Sequence, residues 1–304
     1  MKFLLKSINI SKEKGTAKWA VDRAVLKKAV GIVGDAHKGM KNREISLLAR
    51  EEIDGFKPDL KDGSFGENFT ISGLDCSKVK LLDYLKVGKS LLQISKIGKE
   101  CHDRCHIFKE MGDCIMPKKG FFARVLNGGI IKAGAQAVFI PKSYKAVIIT
   151  LSDRASKNIY KDKSGEVIVT LLAKHFEGIN RKIQIEKIVI PDSKWRLAWL
   201  FKKFLFKKYD FIITTGGTGV GQRDITIDVA RKYVKKELSG ITEFIRSKYG
   251  VLNRNALISR SVVGVNGKTF IACLPGSVNA VTEYMEEMIP MFSHIFCMLY
   301  DVDH

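Results

Sequence analysis

Acidic residues are scarce in this chain. Its 304 residues include 32 Asp and Glu against 52 Lys and Arg, a formal net charge of +20, so its partners are expected to be anionic. The basic residues are scattered, with pairs such as Lys202-Lys203, Lys207-Lys208 and Lys235-Lys236 on helix-like segments, where a solvated face is the usual reading. Zinc-finger, RNP-type and homeodomain patterns are missing, so charge alone is weak evidence for nucleic acid. Long apolar runs are missing too. Met1 to Lys6 is short and broken by lysine, unlike a secretory core, and no segment has the length of a membrane span. These absences predict no membrane partner and a cytoplasmic, reducing setting. Six cysteines make no disulfide scaffold in a chain of this size, which leaves them for reactivity, metal binding or packing.

The length suits two domains, each able to bury a core. Residues 1–142 look β-rich, with short apolar or alternating runs at Lys2 to Ile10, Leu91 to Ile97, Phe121 to Leu126 and Gln136 to Ile140. Only Val21 to Ala29 and Arg43 to Asp54 read as helix. Strands with few helices predict a β-barrel-like, closed or folded-over sheet. Cys101-His102-Asp103-Arg104-Cys105-His106, with Cys114 further on, is the chemical cluster of this half. It admits half a zinc site, although no second Cys/His pair stands at finger spacing. It also admits a reactive thiolate favoured by Lys96, Lys99 and Arg104, or inert buried sulfur.

Taken with Gly34-Asp35-Ala36-His37, Ser46-Leu47-Leu48-Ala49, Phe65 to Asp75 and Phe122 to Gly129, this half resembles a MOSC domain over roughly residues 20–140. The resemblance implies a β-barrel and a cysteine that carries sulfur or ligates molybdenum. By its place ahead of Phe122 to Leu126, Cys101 is the matching position, with Cys105 and Cys114 as further candidates.

Pro141-Lys142-Ser143-Tyr144 marks a change of pattern. Residues 143–304 then alternate: strand Lys145 to Leu151, helix Gly165 to Phe176, strand Lys182 to Ile190, helix Trp195 to Lys208, strand Phe211 to Thr215. That order predicts a three-layer α/β domain with a mostly parallel sheet and crossover helices. Helices are expected at Thr226 to Leu238 and near Ile241 to Lys248. Asn266-Gly267 marks a hairpin between Ser261 to Gly264 and Lys268 to Ala272. A last helix is expected at Asn279 to Met291, with Val281, Met285 and Met288 on its core face.

Thr214 to Asp224 is the most informative stretch. An apolar strand runs into four glycines between 216 and 221, followed by Arg223-Asp224 and a helix-like segment. Glycines let backbone N–H groups close on an anion, and a helix start adds partial positive charge. A tight turn with Asp224 as a helix cap is the plain alternative. In an open parallel sheet, ligands sit beyond the carboxyl ends of the strands. Ser152-Asp153-Arg154-Ala155-Ser156, Pro191-Asp192, the glycine loop and Pro275-Gly276-Ser277 are all placed there. Asp192 reads as a turn former after Pro191 or, with Asp224, as a hard oxygen ligand for Mg2+.

These segments, with Tyr160 and Asp162-Lys163-Ser164-Gly165, resemble the molybdopterin adenylyltransferase family over roughly residues 144–299. The resemblance implies a nucleotidyltransferase that uses ATP and Mg2+ to adenylylate molybdopterin. It places Asp192 and Asp224 at the essential acidic, magnesium-binding positions. It gives Ser152, Asp153, Arg154, Thr215, Gly216, Gly217, Thr218, Gly219, Arg223, Pro275, Gly276 and Ser277 to molybdopterin and ATP, and implies a homo-oligomer, a trimer in relatives. Other cofactor-biosynthesis proteins are candidate partners, and a non-catalytic carrier of the cofactor is the alternative.

Overall fold

Alternation of apolar side chains builds the first half. The computed structural model describes residues 1–98, 106–157 and 159–302, and the chain folds as two units: Met1–Lys142 with the chain's end from Tyr300, and Ser143–Leu299. Strands β1 (Lys2–Ile10), β2 (Trp19–Val21), β3 (Arg23–Lys27), β4 (Gly31–Ile32) and β5 (Ile45–Ala49) precede helix α1 (Arg50–Phe56). β6 (Phe69–Ser72), β7 (Tyr84–Val87) and β8 (Ser90–Ile97) follow, then the short helices α2 (His106–Met111) and α3 (Met116–Lys119), and β9 (Phe121–Asn127), β10 (Gly129–Lys132) and β11 (Ala135–Ile140). The ring β1-β6-β5-β9-β8-β7-β11 closes when β11 pairs back onto β1, Phe3 opposite Ala137. Closure removes the exposed edges that an open sheet would leave. Phe3, Leu5, Ile71, Leu92, Val125 and Phe139 fill its interior.

Of the two expected helices of this unit, one holds a strand and the other is strand in its first half and helix in its second. Val21 to Ala29 contains β3, whose Ala24 and Leu26 point inward while Arg23, Val25 and Lys27 face solvent. That is a period of two, not 3.6. Arg43 to Asp54 begins as β5, all five residues buried between β6 and β9, and turns helical only at Arg50. A strand buried on both faces has no alternation to separate it from a helix.

In the second unit β12 (Tyr144–Leu151), α4 (Asp153–Ser156), α5 (Lys163–Gly178), β13 (Ile183–Ile190), α6 (Lys194–Phe206), β14 (Phe211–Thr215) and α7 (Thr226–Ala230) come first. β15 (Lys236–Glu237), α8 (Ser239–Gly250), β16 (Val262–Asn266), β17 (Thr269–Leu274), α9 (Val278–Met288) and α10 (Phe292–Tyr300) complete it. The sheet order is β13-β12-β14-β17-β16-β15: the first four strands run parallel, β16 runs against them, and the short edge strand β15 pairs antiparallel with β16. Successive residues of β12 serve opposite layers. Val147, Ile149 and Leu151 pack with Leu197, Phe201 and Phe204 of α6 and Ile227 of α7. On the other face Tyr144 and Phe211 meet Phe176 of α5 and Phe292 and Phe296 of α10.

The helix expected at Thr226 to Leu238 stops at Ala230, because Lys236 and Glu237 are taken by β16 as an edge strand. The last helix is not α9 but α10, which begins at Phe292 after a 3-10 turn containing Pro290. Val281, Met285 and Met288 are fully buried, as their spacing predicts.

Candidate functional site

Because β12, β13, β14 and β17 are parallel, their carboxyl ends open on one side, and one hollow of about 160 Å³ lies there. Of the residues singled out from sequence, Ser152, Tyr160, Asp162, Ser164, Asp192, Thr215, Gly216, Gly217, Arg223, Asp224 and Gly276 line it, joined by Thr150 and Leu151. The loop after β14 can turn this sharply only with glycine. Gly216 has φ +97°, and a Cβ there would meet the Leu151 carbonyl oxygen at 2.4 Å. Thr226 closes the turn, its hydroxyl donating to the Gly216 carbonyl at 2.8 Å and its amide to Gly217 at 3.1 Å.

Within the loop, the Gly216 amide donates to Leu274 O and the Gly221 amide to Asp224 Oδ2 at 2.8 Å. The amides of Gly217, Thr218, Gly219, Val220, Gln222 and Arg223 make no hydrogen bond among the described residues; of these residues Gly217 and Arg223 line the hollow, where an anion would meet them. Helix α7 is only five residues long and its N-cap is Ile225, without a side-chain cap. Asp224 is therefore not a helix cap, and the expected dipole of a long following helix is missing. The loop's own N–H groups carry the anion-binding capacity.

Asp192 is likewise not the cap of α6: Ser193 is, accepting from the Arg196 amide at 3.4 Å. The Asp192 carboxyl is raised above the usual Asp range, first by burial and then by the like charges of Asp153 and Asp224. Asp153 stands behind it, accepting the Asp192 amide at 3.1 Å and pairing with Arg223 at 3.6 Å. Asp162 receives the Thr150 hydroxyl at 2.8 Å and the Gly165 amide at 2.9 Å, and Ser164 bonds the Gly276 carbonyl at 2.6 Å. Ser152 and Tyr160 share a hydroxyl contact of 2.9 Å.

Six singled-out residues do not line the hollow: Asp153, Arg154, Thr218, Gly219, Pro275 and Ser277. Arg154 is solvent-exposed. Ser277 caps α9 through the Ala280 amide, and Pro275 O accepts the Thr215 hydroxyl. Sequence reasoning missed Arg260. Its guanidinium bonds Gly219 O at 2.8 Å, Asp224 O at 2.7 Å and Asp228 Oδ1 at 3.0 Å, clamping the glycine loop from behind. No local pattern marks it, since it approaches from a segment distant in sequence.

The barrel unit has its own hollow of about 120 Å³, lined among others by His37, Arg43, Ser46, Phe65, Cys114 and Phe122. His37 is set by a buried charge pair. Lys18 Nζ lies 2.5 Å from Asp35 Oδ1 and 3.2 Å from His37 Nδ1, and Asp35 Oδ2 accepts the His37 amide at 2.9 Å. Burial opposes the Asp35 charge, yet the hydrogen bonds from His37 and Lys18 outweigh it and hold the carboxyl well below the usual range. Cys101 and Cys105 lie outside the described residues. Burial pushes the thiols of Cys76 and Cys273 up to about 11 and about 12, leaving them poor nucleophiles.

Two family models divide the chain as the fold does: a MOSC domain at residues 34–138 and a "probable molybdopterin binding domain" at 147–294. The chain belongs to the molybdenum cofactor biosynthesis proteins, with a MOSC domain ahead of the molybdopterin-binding domain. Molybdenum cofactor biosynthesis protein B of Staphylococcus aureus (strain MRSA252) is 33% identical over 163 residues, 53% of this chain and 94% of that protein. The molybdenum cofactor biosynthesis bifunctional protein of Chlorobaculum tepidum is 29% identical over 170 residues, 55% of this chain and 52% of its own length. Among solved structures, tungsten cofactor synthesizing protein MoaB from Pyrococcus furiosus is 34% identical, covering 52% of this chain and 98% of its own, with a TM-score of 0.46.

Proposed function

We propose that the second unit adenylylates molybdopterin, with Asp192 and Asp224 as its essential acids. One observation supports this reading most: both carboxylates line the hollow that the glycine loop also lines. A phosphate oxygen of molybdopterin attacks the α-phosphorus of ATP, the bond from that phosphorus to the bridging oxygen breaks, and pyrophosphate leaves. No protein nucleophile is needed, because alignment and charge neutralisation supply the catalysis. The unbonded amide of Gly217, which lines the hollow, holds the pterin phosphate, and Arg223 and Ser152, which line it too, orient the nucleotide.

Magnesium fits the donors present: carboxylate and hydroxyl oxygens, with an Asp192 carboxyl raised by burial and by neighbouring negative charge. Among the described residues no three His, Cys, Asp or Glu converge as a metal site; two carboxylates would leave the rest of a magnesium shell to waters and phosphate oxygens. Held by Asp192 and Asp224, it would neutralise the charge that builds on the departing pyrophosphate.

The test is incubation of the full chain with molybdopterin, ATP and Mg2+, with the pterin product and pyrophosphate measured together. Adenylylated molybdopterin and equal pyrophosphate are expected. Asp224→Asn should cut turnover by about a hundredfold or more; pterin binding without any pyrophosphate would instead make the chain a carrier.

The MOSC unit handles cofactor sulfur or molybdenum through Cys101 in this proposal, with Cys105 and Cys114 as the other candidates. Cys101→Ser should abolish persulfide or molybdenum loading and leave adenylylation intact; the same loss from Cys114→Ser alone would move the role to the hollow beside His37. By resemblance the working protein is a trimer.

A further inference from the structure

Helix α6 carries apolar side chains on two opposite faces. Leu197, Leu200, Phe201 and Phe204 are at most 4% exposed and seat the helix on the sheet. At 100° per residue, Trp195, Trp199 and Phe206 fall together on the far side, and they are 88%, 60% and 88% exposed. A single exposed aromatic is ordinary; three in one stripe about 16 Å long make a contiguous apolar patch of the kind that marks a partner's site. Cations surround the stripe. Lys194, Arg196, Lys202, Lys203, Lys207 and Lys208 lie between Asp192 and Asp210, with no acidic residue among them. Lys202 borders the aromatic arc, and Lys203 Nζ lies 5.1 Å from the Trp199 ring centre.

We infer that this outer face of α6 docks on an anionic lipid surface. The charge selects the partner: two copies stacked through this face would oppose cation to cation, whereas phosphate headgroups complement it. Shape selects it further. The aromatics form the crest of a convex ridge with cations on its flanks, suited to a flat surface, while stacking platforms for single-stranded nucleic acid lie in grooves. A ridge of tryptophan and phenylalanine among lysines is the composition of a helix lying in a bilayer interface. No helix among the described residues is long and apolar enough to cross a membrane, and surface docking needs none. The sequence-based expectation of no membrane partner rested on the lack of a spanning segment and does not bear on an exposed helix face.

The experiment is co-sedimentation of the full chain with phosphatidylcholine vesicles with and without phosphatidylglycerol, at rising salt. The chain is expected to sediment with the phosphatidylglycerol vesicles, to bind phosphatidylcholine alone far less, and to be released by salt. The triple variant Trp195→Ala, Trp199→Ala, Phe206→Ala keeps every cation and should bind at least about tenfold less. If it melts differently from the natural chain, Trp195→Gln and Phe206→Ser are read singly for the same direction of change. Absence of vesicle binding, or equal binding by the variants, overturns the inference. So does a smaller assembly of the variants without lipid, which assigns the face to a second copy, or a variant-sensitive preference for oligo-dT over vesicles, which assigns it to nucleic acid.

Discussion

Single side chains decide where charge can rest in this protein. Lys18 and Asp35 are buried almost completely, at 0% and 1% side-chain exposure, and neither charge is tolerable there without the other. Asp35→Asn should destabilise the barrel unit by about 3–5 kcal/mol, read as a lowered urea midpoint for that unit. Its carboxyl is held low in the fold, so this contribution is present at neutral pH and is lost as pH falls through the folded value. Asp192 has the opposite sign. Its carboxyl is raised, so the charged form needed for transfer is lost on acidification earlier than for an ordinary aspartate. Asp153→Asn removes one of the like charges and should move the acid limb of the pH–rate profile to lower pH; an unmoved limb would assign it to another group.

At the scale of elements, the turn after β14 has little freedom. Gly216→Ala would place a methyl 2.4 Å from the Leu151 carbonyl oxygen at a φ of +97°, a strain of about 1–3 kcal/mol. Pyrophosphate release by this variant should fall severalfold while the barrel unit melts as before. The loop was legible in the sequence because its signal is local: an apolar strand, clustered glycines and an Arg-Asp pair adjacent in the chain. Most strands were legible for the same reason. What stayed hidden depends on partners remote in sequence. Pairing with β16 ends α7 early, burial between two neighbours makes β5 a strand, and Arg260 reaches the loop from beyond α8. A closed sheet was expected, but that β11 is the strand that pairs onto β1 belongs to this group, since periodicity marks a strand without naming its neighbour.

At the scale of the whole molecule, the boundary at Lys142 and Ser143 is only half of the division. The chain leaves the first unit there and returns to it from Tyr300. The return is fastened by polar contacts: Arg124 Nη2 bonds Tyr300 O at 2.6 Å, Asn42 Nδ2 bonds Asp301 O at 2.9 Å, and Lys41 pairs with Asp301 at 2.8 Å. Val302 is buried. Arg124→Ala, which also loses the bond to Gln93 at 2.7 Å, should lower the melting temperature of the barrel unit by several degrees, about 4–8 °C per kcal/mol lost, with pyrophosphate release unchanged.

The return from Tyr300 also orders events on the ribosome. Every strand of the barrel has been synthesised long before the residues that Arg124 and Asn42 hold, and the whole molybdopterin-binding unit is translated in between. The barrel therefore waits, lacking the stretch from Tyr300, until the whole second unit has been translated. A nascent chain stalled inside the second unit would display a barrel whose Arg124 and Asn42 lack their bonds to Tyr300 O and Asp301 O, a form that a protease could distinguish from the finished one.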